Sequence, residues 1–327
     1  MRNVKWGVIG CAAFARDTAI PAMLKAQGVE LTAIASRDVS KAKEFAEKFG
    51  FKKAYGSYEE LLEDAEVEAV YNPLPNGMHP EWTVKLARAG KHSLVEKPFA
   101  ANIAEAQRVQ AVVADSGVLV MEAFMWRFHP MHLRVRELIK SGKIGTLRNV
   151  RSAFTFSIER KPNVRLSKEL AGGGLMDVGC YCISEARFLF DAEPTRVYAV
   201  ADFDAEYGVD MLASAILEFP GGRASFDCGF ELPFRCEYEV AGTQGSLVCP
   251  LAILPGENPV IHIHTSNGTE TETFSGVNHY VLEFEHFSRA IVEGTPLAYD
   301  TRDAVLQQAV IDACYRSAKL GQAVNVD

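Results

Sequence analysis

Short apolar segments alternate with longer helical patterns through the first 120 residues, and this alternation restricts the possible folds more than any other feature of the chain. The clearest predicted strands are Val4–Ile9, Glu30–Ala35, Val67–Tyr71, Ser93–Val95 and Val118–Met121. Helical patterns lie between them, at about 12–26, 40–49, 79–89 and 102–116. A repeated strand–helix order predicts a parallel sheet that is covered by helices on both faces.

From Thr146 onward the chain changes to the apolar–polar alternation that is typical of antiparallel strands. Six such strands are predicted, at Asn149–Ile158, Arg196–Phe203, Met211–Phe219, Ala224–Phe230, Cys236–Val240 and Ile261–Thr265. Turn residues at 220–222 and 266–268 fit hairpins between them. We therefore predict an α/β domain over residues 1–123, followed by an α+β domain with a large, mainly antiparallel open sheet over residues 124–327. The helical segment 279–318 is compatible with packing on either domain.

Length and charge narrow the function classes. The 327 residues suffice for two domains of roughly 150 residues each. Lys and Arg number 34 against 42 Asp and Glu, and this net charge of −8 argues against a surface that neutralises nucleic-acid phosphates. No apolar run approaches the roughly 18–20 residues of a membrane-spanning helix, and no secretory signal opens the chain. Seven scattered cysteines indicate reduced thiols. We expect a cytoplasmic protein without nucleic-acid or membrane partners.

The first predicted strand runs into a short turn that resembles a dinucleotide fingerprint. Gly10 would supply the tight turn, Ala12 would lie where backbone approaches a pyrophosphate, and Ala15 would pack the helix on the sheet. Alanine leaves little bulk between a helix N-terminus and a phosphate, so the amide groups there can bind an anion. Plain packing explains the same pattern equally well. The position after the first strand favours cofactor binding by Gly10, Cys11, Ala12, Ala13 and Phe14.

The end of the second predicted strand indicates which nicotinamide cofactor is bound. An acidic residue at this point bonds the ribose 2′-hydroxyl of NAD in a Rossmann domain. Here Ser36, Arg37 and Lys41 offer one hydroxyl and two cations, which suit a 2′-phosphate that a carboxylate would repel. We therefore favour NADP. Two roles are open for Asp38, since it can turn inward and bind NAD or simply cap the following helix.

Four further motifs follow the ends of strands or precede a helix: 75–81, Glu96–Lys97–Pro98, 122–130 and 172–181. With the Gly10 turn, they make the chain resemble the glucose–fructose oxidoreductase/inositol dehydrogenase/MocA family over essentially its whole length. Within that family the 122–130 segment resembles the branch of NADP-dependent D-xylose dehydrogenases, dimeric dihydrodiol dehydrogenase and glucose–fructose oxidoreductase. The resemblance implies a Rossmann domain and an oxidoreductase activity.

The same resemblance implies roles for particular residues. Lys97 would contact the nicotinamide ribose and the reacting hydroxyl, and the Lys97–Pro98 bond would be cis. Further cofactor contacts are implied for Pro75, Asn76, His79, Glu96, Trp126 and Arg127. For His79 a loop histidine without a catalytic part is equally compatible, and Trp126 can also serve as a domain-interface anchor.

A glycine run, Gly172–Gly174, precedes a predicted helix in the second domain. The run would let the helix start approach another element or a ligand closely. Asp177 and Tyr181 are four residues apart and share one face of that helix. We expect them to face Lys97 at a domain interface, where ligand pockets are common.

That arrangement would suit hydride transfer. A free tyrosine has a pKa of about 10, and a nearby cation such as Lys97 lowers it by roughly 1–3 units. Tyr181 would then be the general acid/base and Lys97 its electrostatic partner and a substrate ligand. Asp177 and Arg165 would bind the sugar. Each residue also has an alternative role. Tyr181 can be a core residue, Asp177 a charge that complements the helix dipole, and Arg165 a surface charge.

Other pairs are set aside because they lack further ligands in sequence. His129 with His132 and Cys180 with Cys182 do not complete a zinc site, so no metal is predicted. The chain is thus predicted to be an NADP-dependent dehydrogenase for a carbohydrate hydroxyl, such as the anomeric hydroxyl of D-xylose or glucose. Keto-sugar reduction, dihydrodiol oxidation and a sensor without chemistry are the alternatives. The open sheet of the second domain predicts a homodimer.

Overall fold

The computed structural model describes residues 2–326, which form two compact units. The first unit contains the chain up to Met125 together with Asn278–Val305. The second contains Trp126–Val277 and the chain from Leu306 onward. No helix within residues 2–326 is both long and apolar enough to cross a membrane.

The strands of the described chain are β1 (Val4–Ile9), β2 (Val29–Ala35), β3 (Lys53–Tyr55), β4 (Ala69–Asn72), β5 (His92–Glu96), β6 (Val120–Ala123), β7 (Leu147–Thr155), β8 (Arg196–Phe203), β9 (Asp210–Phe219), β10 (Gly222–Gly229), β11 (Arg235–Gly242), β12 (Gly245–Cys249), β13 (Val260–Thr265), β14 (Gly268–Thr273) and β15 (Val324–Asn325). Its α-helices are α1 (Ile20–Met23), α2 (Val39–Phe49), α3 (Tyr58–Glu63), α4 (His79–Arg88), α5 (Ile103–Ser116), α6 (Pro130–Lys140), α7 (Cys180–Phe190), α8 (His279–Glu293) and α9 (Thr301–Leu320). A π-helical turn precedes α1 at Ala15–Ala19, and another precedes α7 at Leu175–Gly179.

The first unit is built on a six-stranded sheet in the order β3-β2-β1-β4-β5-β6. All of its strand pairs are parallel. The order reverses between β1 and β4, which makes the carboxyl ends of these strands the expected place for a ligand. The predicted doubly wound fold is confirmed. The sequence reading did not identify the short strand β3 or the helix α3.

Helix α8 belongs to the first unit, although about 150 residues separate it from the last strand of that unit. Its residue Phe284 packs edge-on against Trp6 of β1, with ring centroids 5.4 Å apart. The indole Nε1 of Trp6 donates to Ser288 Oγ at 3.1 Å. These buried contacts place α8 in the first unit, whereas α9, the other helix of the 279–318 segment, is divided between the two units after Val305.

The second unit is built on a nine-stranded sheet in the order β14-β13-β12-β11-β7-β10-β9-β8-β15. Neighbouring strands are antiparallel, except that β7 and β10 run parallel. The mainly antiparallel sheet is therefore confirmed, as are the hairpin turns after β9 and β13. The face that carries Tyr198, Val200 and Ile216 is open in the single chain, with these side chains 43–50% exposed.

Candidate active site

The turn after β1 has the backbone geometry that a phosphate site needs. Gly10 has φ +104°, and a Cβ at this position would lie 3.0 Å from Leu74 Cδ2. Only glycine adopts this conformation readily. The helix that follows begins with an Arg16 N–H to Ala12 O bond of 3.0 Å, and Ala15 is buried against the sheet.

Residues Cys11 and Ala12 are partly exposed, and Ala13 and Phe14 are exposed. The N–H groups of a first helical turn have no partner inside the helix, so a bound phosphate can accept from them. The ring of Phe14 also packs against Tyr280 of α8, with centroids 5.9 Å apart. The structure thus presents an accessible helix start at the predicted position.

The segment after β2 carries two exposed cations. Asp38 is the N-cap of α2, where its carboxylate accepts from Ser40 N at 2.9 Å. Ser36 Oγ accepts from Asp38 N at 3.2 Å. Asp38 is also exposed, but its carboxylate caps α2, and the two cations Arg37 and Lys41 leave the segment with a net positive charge that suits a phosphate.

Two side chains from other elements reach the same place. The thiol of Cys11 contacts Ser36, and burial raises the pKa of Cys11 to about 11 despite this contact and the charge of Lys41. The hydroxyl of Tyr58, at the start of α3, lies beside the Arg37 guanidinium; burial raises the pKa of Tyr58, and Arg37 opposes that rise. Cys11 at neutral pH is therefore a thiol, not a thiolate.

The loop after β4 is tied to the Lys97 corner through His79. This imidazole is fully buried, with Nδ1 2.7 Å from Pro98 O and Nε2 2.6 Å from Leu74 O. Burial lowers the pKa of His79 to about 4, because it outweighs the two carbonyl groups and because Lys97 adds a like charge. As a neutral ring His79 carries one N–H, so it donates to only one of these two carbonyl oxygens, although both lie against the ring. Pro75 and Asn76, which open the loop, are half-buried.

Lys97 follows β5 and is half-buried, and the Lys97–Pro98 bond is cis, as the resemblance implies. The residues on either side of it are held. Tyr71 OH donates to Glu96 Oε1 at 2.5 Å, and Phe99 N donates to Glu122 Oε1 at 2.8 Å. The ammonium therefore extends from a fixed stretch of backbone.

Trp126 and Arg127 lie at the start of the second unit and are both buried. The Trp126 ring packs edge-on against His132 and Phe188, with centroids 5.0 and 5.1 Å away. Arg127 Nη2 donates to Ser184 Oγ at 3.0 Å. Both side chains help to seat α7.

The helical segment from Leu175 to Phe190 carries the remaining candidate residues. Arg165 Nε donates to Asp177 Oδ2 at 2.6 Å, so two residues that were proposed separately as sugar ligands form one ion pair. Tyr181 is 6% exposed, and its ring lies 5.5 Å from that of Phe154. A carboxylate held by a guanidinium can accept from a hydroxyl in a fixed direction, and a phenol can exchange a proton.

Sequence reasoning missed Asp210, which bonds this segment, and Tyr315, which bonds Asp210. Asp210 of β9 accepts from Leu175 N at 2.6 Å, and Tyr315 of α9 donates to the same carboxylate at 2.7 Å. The one available signal was an acidic residue at the start of a strand whose other inward positions are apolar. Within residues 2–326 no three His, Cys, Asp or Glu side chains are grouped so as to hold a metal ion.

Comparison with known families accounts for both units. Residues 4–124 match the oxidoreductase family with an NAD-binding Rossmann fold, and residues 132–248 match the GFO/IDH/MocA C-terminal domain. The chain belongs to the GFO/IDH/MocA oxidoreductase family. The resemblance inferred from the motifs is confirmed.

Several members of the GFO/IDH/MocA family are similar over much of the chain. D-xylose 1-dehydrogenase (NADP(+)) 2 of Haloferax volcanii is 40% identical, covering 98% of this chain and 99% of its own. Trans-1,2-dihydrobenzene-1,2-diol dehydrogenase of Mus musculus is 37% identical over 74% and 73% of the two chains. The crystal structure of a 3-ketoreductase from Actinomadura kijaniata in complex with NADP and TDP-benzene has a TM-score of 0.91 and 33% identity, over 97% and 98%. These are two relatives from the branch that the 122–130 segment indicated, together with a 3-ketoreductase.

Proposed function

We propose that the protein uses NADP to transfer a hydride between nicotinamide and a carbohydrate hydroxyl, and that it acts as an aldose 1-dehydrogenase on a sugar such as D-xylose or glucose. The observation that carries this proposal is the combination of Lys97, in its fixed corner, with Asp177 and Tyr181 on one helix. The 40% identity to a D-xylose 1-dehydrogenase supports the choice of substrate.

NADP is preferred because of the charge after β2. Arg37 and Lys41 are exposed near Ser36, while the Asp38 carboxylate is engaged as a helix cap. A 2′-phosphate would accept from these cations, whereas a free carboxylate at this place would favour the 2′-hydroxyl of NAD. The amides after Gly10 would hold the pyrophosphate.

NADP, which the turn after Gly10 together with Arg37 and Lys41 would hold, would supply the hydride acceptor for the carbon of the substrate. Tyr181 accepts the proton of the reacting hydroxyl. Lys97 stabilises the negative charge that develops on the substrate oxygen. Asp177, held by Arg165, accepts a hydrogen bond from a neighbouring sugar hydroxyl. The product of anomeric oxidation is a lactone.

Keto-sugar reduction is the second candidate, and the 33% identity to the 3-ketoreductase over nearly the whole chain favours it. In this reduction Tyr181 and Lys97 have the same roles, with the proton transferred in the opposite direction. Tyr181 donates the proton while the carbonyl oxygen gains charge beside Lys97. The two candidates differ in the oxidation state of the sugar that the protein accepts, so the same assay separates them.

The test is a panel of aldoses and diols with NADP or NAD, and of keto-sugars with the reduced cofactors, monitored by nicotinamide absorbance. We expect turnover with at least one aldose and a preference for NADP. Turnover of keto-sugars alone assigns the second candidate. Cofactor binding without turnover of any sugar or diol would identify a sensor and contradict both candidates.

We propose further that residues 1–123 bind the nucleotide, that residues 124–327 bind the substrate, and that the protein is a cytoplasmic homodimer. The exposed apolar side chains Tyr198, Val200 and Ile216 on the open face of the second sheet support dimerisation through that face. Light scattering should give twice the chain mass, and Ile216→Asp should give a monomer. A wild-type monomer at high concentration would contradict the dimer.

A further inference from the structure

We propose that Asp210 is a positioning residue for the reaction: its carboxylate fixes the start of the helical segment that carries Asp177 and Tyr181. The inference rests on the proposed function, because it assigns Asp210 an effect on those two side chains. It concerns the second unit alone. Asp210 touches neither of them in the hydrogen bonds that define its position.

Two hydrogen bonds hold the Asp210 carboxylate. Its Oδ2 accepts from Leu175 N at 2.6 Å, and its Oδ1 accepts from Tyr315 OH at 2.7 Å. Leu175 lies in the first turn of the helical segment, where backbone N–H groups have no partner within the helix. Asp210 is 1% exposed, so water does not compete for either hydrogen bond. The helix start is therefore anchored to β9 and, through Tyr315, to α9.

The glycine run explains how the carboxylate comes so close. Gly173 has φ +117°, and a Cβ there would overlap Asp210 Oδ1. A Cβ on Gly174 would lie 2.9 Å from the Cα of Gly229 on β10. The sequence indicated a close approach at Gly172–Gly174, either to another element or to a ligand. The structure assigns this approach to the neighbouring strands.

The anchored turn also controls Arg165. Gly173 N donates to Arg165 O at 2.9 Å, and Asp177 N donates to Gly173 O at 2.9 Å. Arg165 in turn binds the Asp177 side chain. A shift of the turn therefore moves Arg165 and Asp177 together, and Tyr181 follows because it lies one helical turn beyond Asp177. A displacement of about 1 Å at a reacting group can lower a rate by about 100-fold.

Asp210→Ala removes both bonds and should lower the single-turnover rate of hydride transfer by about 100-fold. The dissociation constant for NADP should stay within about twofold of wild type, because the proposed nucleotide site lies in the other unit. Hydrogen–deuterium exchange should become faster for the amides of residues 172–179. A general loss of stability would not combine a slower hydride transfer with unchanged NADP binding and faster exchange at residues 172–179 alone.

Asp210→Asn is the conservative rescue. Its amide oxygen can accept from Leu175 N, and its amide NH₂ can donate to Tyr315, whose hydroxyl is both donor and acceptor. We expect a rate within about tenfold of wild type and slow exchange at residues 172–179. Tyr315→Phe keeps the Leu175 bond and should have a similarly small effect. Both variants remain informative if Asp210→Ala does not fold.

Ser317→Ala is the matched control. Ser317 is fully buried on the same helix as Tyr315, and its hydroxyl accepts from Ala199 N at 2.9 Å and donates to Gln322 O at 2.7 Å. The variant loses comparable bonds but leaves the Asp210 anchor intact. It should lower the unfolding temperature while the hydride-transfer rate and the exchange at residues 172–179 stay as in wild type.

Two results would overturn the inference. One is a wild-type rate, or unchanged exchange at residues 172–179, in Asp210→Ala. The other is a loss of rate in Ser317→Ala as large as that in Asp210→Ala. If the wild-type protein turns over no sugar or diol, the proposed function fails instead, and the exchange experiment still tests the anchor by itself.

Discussion

The two units present their candidate residues in different ways. In the first unit the site is largely backbone: the Gly10 turn, the helix start after it, and the loops held by the buried imidazole of His79. In the second unit the site is a set of side chains on one helix, held by Asp210 and Arg165. The comparison shows that the proposed nucleotide site depends on where the strands end. The proposed substrate site depends on contacts between residues that are far apart in the sequence.

Topology explains the difference. The carboxyl ends of parallel strands meet at one edge of a sheet, so loops that are far apart in sequence arrive there together. In the second unit the helix with Asp177 and Tyr181 is instead held by contacts between separate elements. These contacts join residues such as Asp210 and Leu175, 35 positions apart, or Asp210 and Tyr315, 105 positions apart.

A large effect should come from Lys97, the side chain through which the first unit is proposed to take part in the reaction. Lys97→Met should lower the rate of hydride transfer by about 1,000-fold, because the developing charge on oxygen loses its cation. NADP should still bind, because the proposed cofactor contacts after β1 and β2 remain. The rate is measured by single-turnover absorbance and the binding by fluorescence titration.

Lys85→Met is the control, since Lys85 is exposed on α4 and pairs with Glu81. It should react as fast as wild type. If Lys97→Met retained a tenth of the wild-type rate, the proposed role of Lys97 would be wrong. The first unit would then bind the nucleotide without contributing a side chain to the reaction.

Arg37 tests whether the first unit also selects the cofactor. Arg37→Ala should weaken NADP binding by roughly 10- to 100-fold, the value of one charge-assisted contact, while NAD binding stays unchanged. Fluorescence titration with both cofactors gives the ratio. Lys43→Ala, an exposed cation on α2, should leave the ratio as in wild type. An equal loss for NAD and NADP would show that Arg37 does not bind the 2′-phosphate.

His79 tests the backbone scaffold of the first unit through pH. Its pKa is lowered to about 4 in the fold by burial, against about 6.5 in the unfolded chain. Below pH 6.5 the His79 side chain becomes protonated in the unfolded chain but stays neutral in the folded protein. The free energy of unfolding therefore falls as the pH falls toward 4. Between pH 7.5 and pH 5 the loss is about 2 kcal/mol.

Urea unfolding at the two pH values measures this loss in wild type and in His79→Gln. The variant should be less stable at pH 7.5 and should lose about 2 kcal/mol less on acidification. The same acid loss in His79→Gln would contradict a neutral, buried His79.

The sequence predicted the first unit well because its signals are local. The strand bounds of β1 and the cap at Asp38 depend on a few neighbouring residues, whereas the cis bond at Lys97–Pro98 is implied only by the family resemblance. The helix α3 was not predicted, because a helix of six residues shows too little apolar periodicity, although Ser57 caps it.

The second unit was harder to read. Strand β14 reads Gly-Thr-Glu-Thr-Glu-Thr and shows no apolar alternation, because it is an exposed edge strand that faces water on both sides. Asp210 could be assigned no role because its partners, Leu175 and Tyr315, become its neighbours only once the sheet has formed. Local patterns therefore identified the helix with Asp177 and Tyr181, but not what holds it.

The central claim is that a phenol of the second unit performs the proton transfer of a reaction whose cofactor is bound by the first. Tyr181→Phe tests it in a single turnover with NADP already bound and a sugar that the wild type oxidises. The account predicts a fall of about 1,000-fold in the hydride-transfer rate, with the NADP dissociation constant within about twofold of wild type. Hydride transfer by Tyr181→Phe at more than a tenth of the wild-type rate would contradict it.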